Sequence, residues 1–382
     1  MFTKFNQYRI VYPQNATVHE ELFSKLLQYY LHSNYGCDLE IVKDNEEIAE
    51  YEILIGDTNR TTSHPEDGTF AFLVEQNRLQ LTATDMQSYE ALYNYTTKEL
   101  LAPGKEATKR FGDVRCMFYN VYGWTSQCGP IPDRQKLQAE LIKTYMPEVL
   151  ACQEYSAHYR PFTYMLKEIG YKEVEVAETT ANYTPLFYKK KLLKVVDSGY
   201  LLYAGPNDVN SKSATWAVFE LLENGRQFIA ISTHLMYNQP DIDANAARVS
   251  NAKELVSLIA QLQDKAEYKD LPLILGGDLN CNTSSEPIAV LKESGLRLAW
   301  DIAENKNDIK GIHDYVTYDK DFETYSAWSI RPGGYAGSID HALVSEHVTV
   351  KSFFTLTDMY ALISSDHMPE LVEINLNGQE RN

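Results

Sequence analysis

Basic side chains are scarce in this sequence. Its 382 residues hold 35 Lys and Arg against 53 Asp and Glu, for a formal net charge of −18. Proteins that grip long nucleic acid usually present a basic face, because phosphate contacts supply most of the non-specific affinity. The acidic balance therefore argues against an extended nucleic-acid groove. It suits a small phosphate substrate neutralised by a bound cation. Cysteine is sparse as well. Cys37, Cys116, Cys128, Cys152 and Cys281 are odd in number, scattered and free of any CxxC pair, which excludes neither thiol chemistry nor burial but argues against a disulfide framework or a zinc cluster. The opening MFTKFNQYRIVY lacks an apolar stretch of signal-peptide or membrane-span length, so no transmembrane segment is expected. A cytoplasmic location is the expectation, or secretion if a leader has been removed.

What is present is ordinary globular material: 44% hydrophobic and 23% charged residues, in a chain long enough to bury a core without covalent staples. Two textures divide it. In the first, YRIVY (Tyr8–Tyr12) reads as a strand, and Thr17 with Glu20 forms a capping-box pattern ahead of a helical run. Short strands follow at Asp38–Val42 and Tyr51–Ile55. Thr69–Glu75 and Arg78–Thr84 read as a hairpin around Gln76-Asn77, and Asp85 as the cap of a second helix reaching about Leu100. This β-α-β-β-β-β-α order predicts a small α+β domain over residues 1–100. LAPGKEATKRFG, residues 101–112, reads as a linker.

From Asp113 to the end, residues 113–382, short apolar strands alternate with loops and helices, which predicts a layered α/β sandwich. Asp113–Tyr119, Val149–Gln153, Gln227–Thr233, Leu271–Gly276, Ser338–Val344 and Val348–Phe354 are strand-like. Asp133–Met146 and Ala246–Leu262 are helix-like, with Pro147 closing the first.

Polar residues recur directly after these strands, where sites are usually built. Asn120 follows RCMFY, Glu154 follows EVLACQ and His234 follows FIAIST. Asp278 and Asn280 follow LPLILGG, Asp340 and His341 follow YAGSI, and Asp366 and His367 follow ALISS. Each has a plainer reading: a turn asparagine, an exposed glutamate, a satisfied core histidine, an Asx-turn in GGDLN, a surface loop at the Asp-His pairs. In Gly276-Gly277-Asp278-Leu279-Asn280 the glycines are expected to allow a sharp turn at the strand end. Asp278 and Asn280 would then project on one side of an extended segment, suited to a water or a metal-bound phosphate. In Ser365-Asp366-His367 a carboxylate beside a histidine can steady the ring or bind metal while the ring meets phosphate. Oxygen-rich donors without Cys/His spacing select a hard cation, Mg²⁺ or Mn²⁺.

Taken in order, YNVYG, CQEYS, STHL, GGDLNCN, GSIDHALV and SSDHMPE resemble the endonuclease/exonuclease/phosphatase superfamily over about Asp113 to Ile374. The resemblance implies a four-layer α/β sandwich, two packed mixed sheets flanked by helices, with the site at one end. It implies Glu154 as main metal ligand helped by Asn120, with Asp366 at a position that can also bind metal. Asp278 would orient or deprotonate the attacking water, with Asn280 fixing Asp278 and touching phosphate. His367 would contact a phosphate oxygen or act as base, Asp340 would hold its ring, and His234 would protonate the leaving oxygen. Lys212 is the candidate basic residue for phosphate. Tyr122 stands where some members carry an acidic residue, which puts a second metal on that side in doubt. The expected activity is metal-dependent hydrolysis of a small or lipid-headgroup phosphate mono- or diester. A DNA or RNA nuclease and a non-catalytic binding module are the alternatives. EYEILIGDTNR, Glu50 to Arg60, gives the first segment a fainter similarity to domains that precede catalytic domains in some bacterial glycoside hydrolases, which implies a packing partner.

Overall fold

The computed structural model describes residues 6–74, 77–101, 107–124, 131–177, 181–207, 210–306, 317–319, 324–326, 338–356, 361 and 364–377. Residues 102–106 of the expected linker, Glu75 and Gln76 of the expected hairpin, Cys128, and the loops 125–130, 307–316 and 327–337 lie outside the described residues.

The chain opens with β1 (Arg9–Tyr12), α1 (Val18–Tyr35), β2 (Ile41–Lys43), β3 (Glu52–Ile55), β4 (Phe70–Val74), β5 (Arg78–Ala83) and α2 (Met86–Tyr95). The expected capping box starts α1: Glu20 N–H donates to Thr17 Oγ1 at 3.3 Å, and Thr17 N–H donates to Glu20 Oε2 at 2.6 Å. A cap of this kind stabilises a helix by about 1 kcal/mol. Asp85 caps α2 through Ser88 N–H, and the helix ends in a π-helical turn at Thr96–Leu100. The strands form one five-stranded sheet in the order β2-β1-β3-β5-β4. Phe23, Leu27 and Leu31 of α1 and Leu92 and Tyr95 of α2 close over Ile10, Ile53, Ile55, Leu79 and Leu81 in one apolar core.

The remainder runs β6 (Val114–Asn120), α3 (Ile131–Tyr145), β7 (Val149–Gln153), α4 (Arg160–Glu168), β8 (Tyr171–Glu173), β9 (Leu186–Lys189), β10 (Leu193–Leu202), β11 (Ser213–Leu221), β12 (Gln227–His234), α5 (Ala244–Gln263), β13 (Leu273–Asp278), α6 (Glu286–Glu293), β14 (Arg297–Leu298), α7 (Ala299–Ile302), β15 (Asn305–Lys306), a ribbon of β16 (Thr317–Asp319) and β17 (Thr324–Ser326), β18 (Asp340–Val344), β19 (Val348–Thr355) and β20 (Glu370–Leu376). Two mixed sheets result, β10-β11-β12-β13-β18-β14 and β15-β19-β20-β6-β7-β9-β8.

Strand alternation explains the layering. In β6, Val114, Cys116 and Phe118 face a core shared with Phe219, Ile274, Ala342 and Val372, between the two sheets. Met117 and Tyr119 face the other way, onto Leu141, Ile142 and Tyr145 of α3. In β13, Leu273 and Leu275 meet Ala252, Leu255 and Ile259 of α5. The layers are therefore helices, sheet, sheet, helices, as expected. The inner strands β6, β7, β12 and β13 bury both faces and read as near-continuous apolar runs, whereas the edge strand β10 is half-exposed. Among the described residues no helix is long and apolar enough to cross a membrane.

The two glycines of GGDLN do not make a turn. Both lie inside β13, and they allow close approach. A Cβ on Gly276 would fall 2.6 Å from the Phe118 ring of the facing sheet. One on Gly277, at φ +140°, would fall 2.1 Å from Thr233 O.

Candidate active site

Parallel pairing brings the ends of four strands to one edge of the sandwich. β6 and β7 run parallel with Asn120 beside Gln153, and β12 and β13 run parallel with His234 beside Asp278. Antiparallel β18 starts at the same edge, Asp340 beside Asp278. Residues directly opposite in neighbouring strands point to the same face. His234, Asp278 and Asp340 are thus side by side before any loop is considered. The Ser365–His367 segment arrives just before β20 and is tied down by Ser365, whose hydroxyl donates to Asn120 O at 2.6 Å and accepts from His367 N–H at 3.1 Å.

Asp278 Oδ2 is the hub. It accepts from Asn120 Nδ2 at 3.1 Å and lies 3.2 Å from His234 Nε2 and 3.7 Å from His367 Nε2. Asn120 Nδ2 also reaches Glu154 Oε1 at 3.1 Å, so one amide bridges two carboxylates. His367 Nδ1 is 2.7 Å from Asp340 Oδ2, which orients the ring and leaves Nε2 toward Asp278. Lys212 Nζ stands 3.3 Å from His234 Nδ1 and 3.0 Å from Nε2. Lysine can only donate.

The electrostatics follow from the crowding. Burial opposes ionisation of Asp278, but His234, His367 and Lys212 more than offset it and hold the carboxyl well below the usual range. Burial also works against charge on His367, yet Asp340, Asp278 and Asp366 override it and raise the ring well above its ordinary value. Asp340 is raised by the same burial in spite of His367. Asp340 and His367, 2.7 Å apart, share one tightly held proton. Asp366 is pushed up to about 7, chiefly by burial with Glu154 adding to it. Its Oδ1 is buried without a hydrogen-bond partner among the described residues.

Backbone strain concentrates at this edge too. Tyr122 (φ 51°), Glu154 (φ 56°) and Asn280 (φ 52°) all occupy the left-handed region. Such conformations cost of order 1–3 kcal/mol for a non-glycine residue and persist where surrounding contacts enforce them. Gly123 N–H donates to Glu154 O at 3.1 Å, and Ser156 Oγ donates to Gly123 O at 2.6 Å. Arg134, almost fully buried, donates to Val121 O at 3.1 Å and Tyr122 O at 2.9 Å.

Of the residues singled out in the sequence, Asn120, Glu154, His234, Asp278, Asp340, Asp366, His367 and Lys212 converge. Asn280 departs from expectation. It is not in an extended segment: its N–H closes an Asx-turn on Asp278 Oδ1 at 2.9 Å, and its side-chain amide donates to Leu235 O at 3.1 Å. The side chain that fixes Asp278 is that of Asn120. The Asp340-His341 pair is split by strand alternation. His341 is buried on the opposite face, with Nε2 2.8 Å from Cys281 O, as a core histidine. Sequence reading missed Arg134, whose only signal was a cation early in an amphipathic helix. It also missed Glu370, 1% exposed, with both carboxyl oxygens lacking a hydrogen-bond partner among the described residues. Met368, next to His367, packs against the core of the five-stranded sheet.

The donor set can be tested for a metal. Glu154, His234 and Asp278 offer ligand atoms within 4.8 Å of one another, as do Asp278, Asp340 and His367. With Asp366 Oδ1 unsatisfied beside them, carboxylates outnumber buried cations, and an oxygen-rich set of this kind fits a hard divalent cation.

Comparisons with known proteins agree with this geometry. The sequence profile described as the Endonuclease/Exonuclease/phosphatase family matches residues 132–367, which includes every converging residue except the upstream Asn120. Human Nocturnin is 24% identical over 228 residues, covering 56% of this chain and 49% of that protein. Frog (Xenopus laevis) Nocturnin is 23% identical over 228 residues, 56% of this chain and 54% of its own. This chain therefore spans about half the length of the curated relatives it matches. Among solved structures, an endonuclease/exonuclease/phosphatase from Bacteroides vulgatus superposes with TM-score 0.55 at 22% identity, covering 69% of this chain and 99% of that one. A mannosyl-6-phosphatase from Bacteroides thetaiotaomicron gives 0.54 at 20%, with the same coverage. At such identities the likeness establishes the fold.

Proposed function

We propose that this chain, which belongs to the Endonuclease/Exonuclease/phosphatase family, hydrolyses a small phosphate ester with the aid of Mg²⁺ or Mn²⁺. Members of that family are hydrolases of phosphate esters; the choice of a small substrate and of the ion is our reading. The observation that carries it is the triple approach of Asn120, His234 and His367 to Asp278 Oδ2, with Asp340 behind His367.

In this reading Glu154 and Asp366 hold the cation, with Asn120 bridging Glu154 to Asp278. The bound ion supplies positive charge where negative charge grows on phosphate. Asp278, kept ionised by its cationic neighbours, accepts a hydrogen bond from the attacking water and takes its proton. His367, raised by Asp340, Asp278 and Asp366, donates to a non-bridging phosphate oxygen. Preorganised donors of this kind act without reorganisation during the reaction. His234 stands on Asp278 and Lys212 on the His234 ring; His234 returns the proton to the leaving oxygen, and Lys212 adds positive potential. Asn280 serves by its backbone N–H, which fixes the second oxygen of Asp278. Residues 1–100 act as a separate packing domain joined through residues 101–112, and Met368 is its foothold beside His367.

The test is a panel of p-nitrophenyl phosphate, bis-p-nitrophenyl phosphate, sphingomyelin and plasmid DNA, each with Mg²⁺, Mn²⁺ or EDTA. Hydrolysis of a small ester with either ion, its loss in EDTA, and intact plasmid are the expected results. Nicking of plasmid at a rate matching the small esters would overturn the small-substrate reading.

A further inference from the structure

Trp124 and Tyr183 stack at 4.9 Å between ring centroids, with planes 20° apart. Trp124 is 39% exposed and Tyr183 half-buried. Large apolar side chains exposed singly are common, but a stacked pair held open at a site edge is not explained by core packing. Topology puts the pair at that edge. Trp124 follows the end of β6 that carries Asn120, and Tyr183 precedes β9, whose start lies at the Glu154 end of β7. Both rings hang from backbone that also holds Glu154. Gly123, next to Trp124, donates to Glu154 O at 3.1 Å, and Tyr183 O accepts from Tyr155 N–H at 3.1 Å.

The supports are rigid on both sides. Behind Trp124 the turn is clamped by Arg134 on Val121 O and Tyr122 O, by Ser156 on Gly123 O, and by Asn120 Oδ1 on Tyr122 N–H at 3.0 Å. A Cβ at position 123 would lie 2.2 Å from Glu154 O, so the turn has no slack. Beyond Tyr183, Thr184 N–H donates to Asn182 Oδ1 at 3.0 Å and its hydroxyl meets Ser213 Oγ at 3.0 Å. An aromatic surface held this way loses little conformational freedom when a second ring covers it.

We propose that Trp124 and Tyr183 form a platform that binds the ring of a ring-bearing phosphate ester, a pyranose or an aryl group attached one to three bonds from phosphorus, while the phosphate sits at Asp278 and His367. The assignment rests on the phosphoesterase reading and deepens it. It makes these two residues determinants of specificity for the group beside the phosphate. A flat apolar ring face gains from stacking, whereas an acyclic ester has nothing to place there.

Binding of non-hydrolysable probes separates the two ideas. With Mg²⁺ present, calorimetry measures phenylphosphonate and methylphosphonate on wild type, W124A, W124F and Y183A. Wild type is expected to bind phenylphosphonate more tightly. W124A and Y183A each lose about threefold to tenfold for phenylphosphonate and less than twofold for methylphosphonate, and W124F retains most of the difference. Steady-state kcat/KM on mannose 6-phosphate, p-nitrophenyl phosphate and glycerol 3-phosphate then shows whether the ring is a sugar or an aryl group. Equal loss for both phosphonates, or none for either, overturns the platform while leaving the phosphoesterase reading in place. Failure of wild type to bind either phosphonate overturns both.

Discussion

Two ends of two sheets bury carboxylates in opposite ways. At the start of the five-stranded sheet Glu52 is fully buried, and three arginines close on it: Arg9 at 3.0 Å, Arg60 at 2.6 Å and Arg78 at 3.6 Å, with Ala49 N–H adding a hydrogen bond at 3.0 Å. At the edge of the sandwich Glu154, Asp278, Asp340 and Asp366 share Lys212, His234 and His367, and Asp366 Oδ1 has no hydrogen-bond partner among the described residues, with His367 Nε2 4.0 Å away. A buried charge must be paired or it shifts its protonation. Glu52 faces three guanidinium groups although its Oε2 makes no hydrogen bond among the described residues, whereas the four site carboxylates outnumber their cationic partners. The first arrangement holds a fold together. The second leaves negative charge that a cation or a proton must answer, and the raised Asp366 and His367 are that answer when no metal is bound.

The largest effect should fall on turnover. His367→Ala and Asp278→Asn are each expected to lower kcat on the best small ester by about a thousandfold, within the ~10²–10⁴ range of acid–base and positioning groups, while thermal unfolding stays cooperative. Retention of more than a tenth of wild-type kcat by either variant would contradict the roles of these two side chains. Next comes Glu52→Leu, which removes the carboxylate that Arg9, Arg60 and Arg78 share. Loss of one partner from a buried ion pair costs about 3–5 kcal/mol, so denaturant midpoints should fall while kcat per folded molecule stays within twofold. A large kcat loss with unchanged stability would erase the contrast between the two ends.

A smaller effect separates metal from proton at Asp366. Its folded value near 7 lies above that of an unfolded aspartate, about 3.9. The stability it contributes is therefore complete below about pH 4 and declines as pH rises toward about 7. Saturating Mg²⁺ or Mn²⁺ should remove that decline and raise stability by about 2–3 kcal/mol at a hundredfold excess over Kd. Asp366→Asn should be more stable than wild type at pH 7 in EDTA and lose most of the cation-induced gain. An unchanged gain, read by calorimetry, would remove Asp366 from the ligand set.

The smallest effect concerns Glu370, which burial, with Asp340 nearby, raises well above the usual carboxyl range. The same sign holds: wild type should lose stability relative to Glu370→Gln as pH climbs from about 4.3, with a gap of about 1 kcal/mol at neutral pH. Parallel stability curves for the two proteins across pH 4–8 would mean that Glu370 finds a partner in solution.

Much of the fold and the site is legible in the linear sequence. The capping box at Thr17 and Glu20, the β-α-β-β-β-β-α opening, and the apolar runs that became β6, β7, β12 and β13 are local patterns. Local patterns need no knowledge of partners. Placement of a polar residue just after each run was enough to nominate Asn120, Glu154, His234, Asp278 and His367. Errors arose where a neighbour in space decided the outcome. Gly276 and Gly277 answer to Phe118 and Thr233, which lie far off in sequence. Asn280 turned back on Asp278 because a left-handed backbone was enforced there. Glu370 carries no local signal in the sequence, and the pairing of β20 between β6 and β19 places it in the interior.

By itself the sequence determined which segments become strands, that carboxylates and histidines stand at their ends, and that charge is strongly negative, since each depends on residue type and short-range spacing. Tertiary structure decided which of those residues meet. Asp340 joins His367 and not its chain neighbour His341, because adjacent residues of a strand point to opposite faces while registered residues of paired strands share one. That register is set by long-range pairing, so no short stretch of sequence contains it.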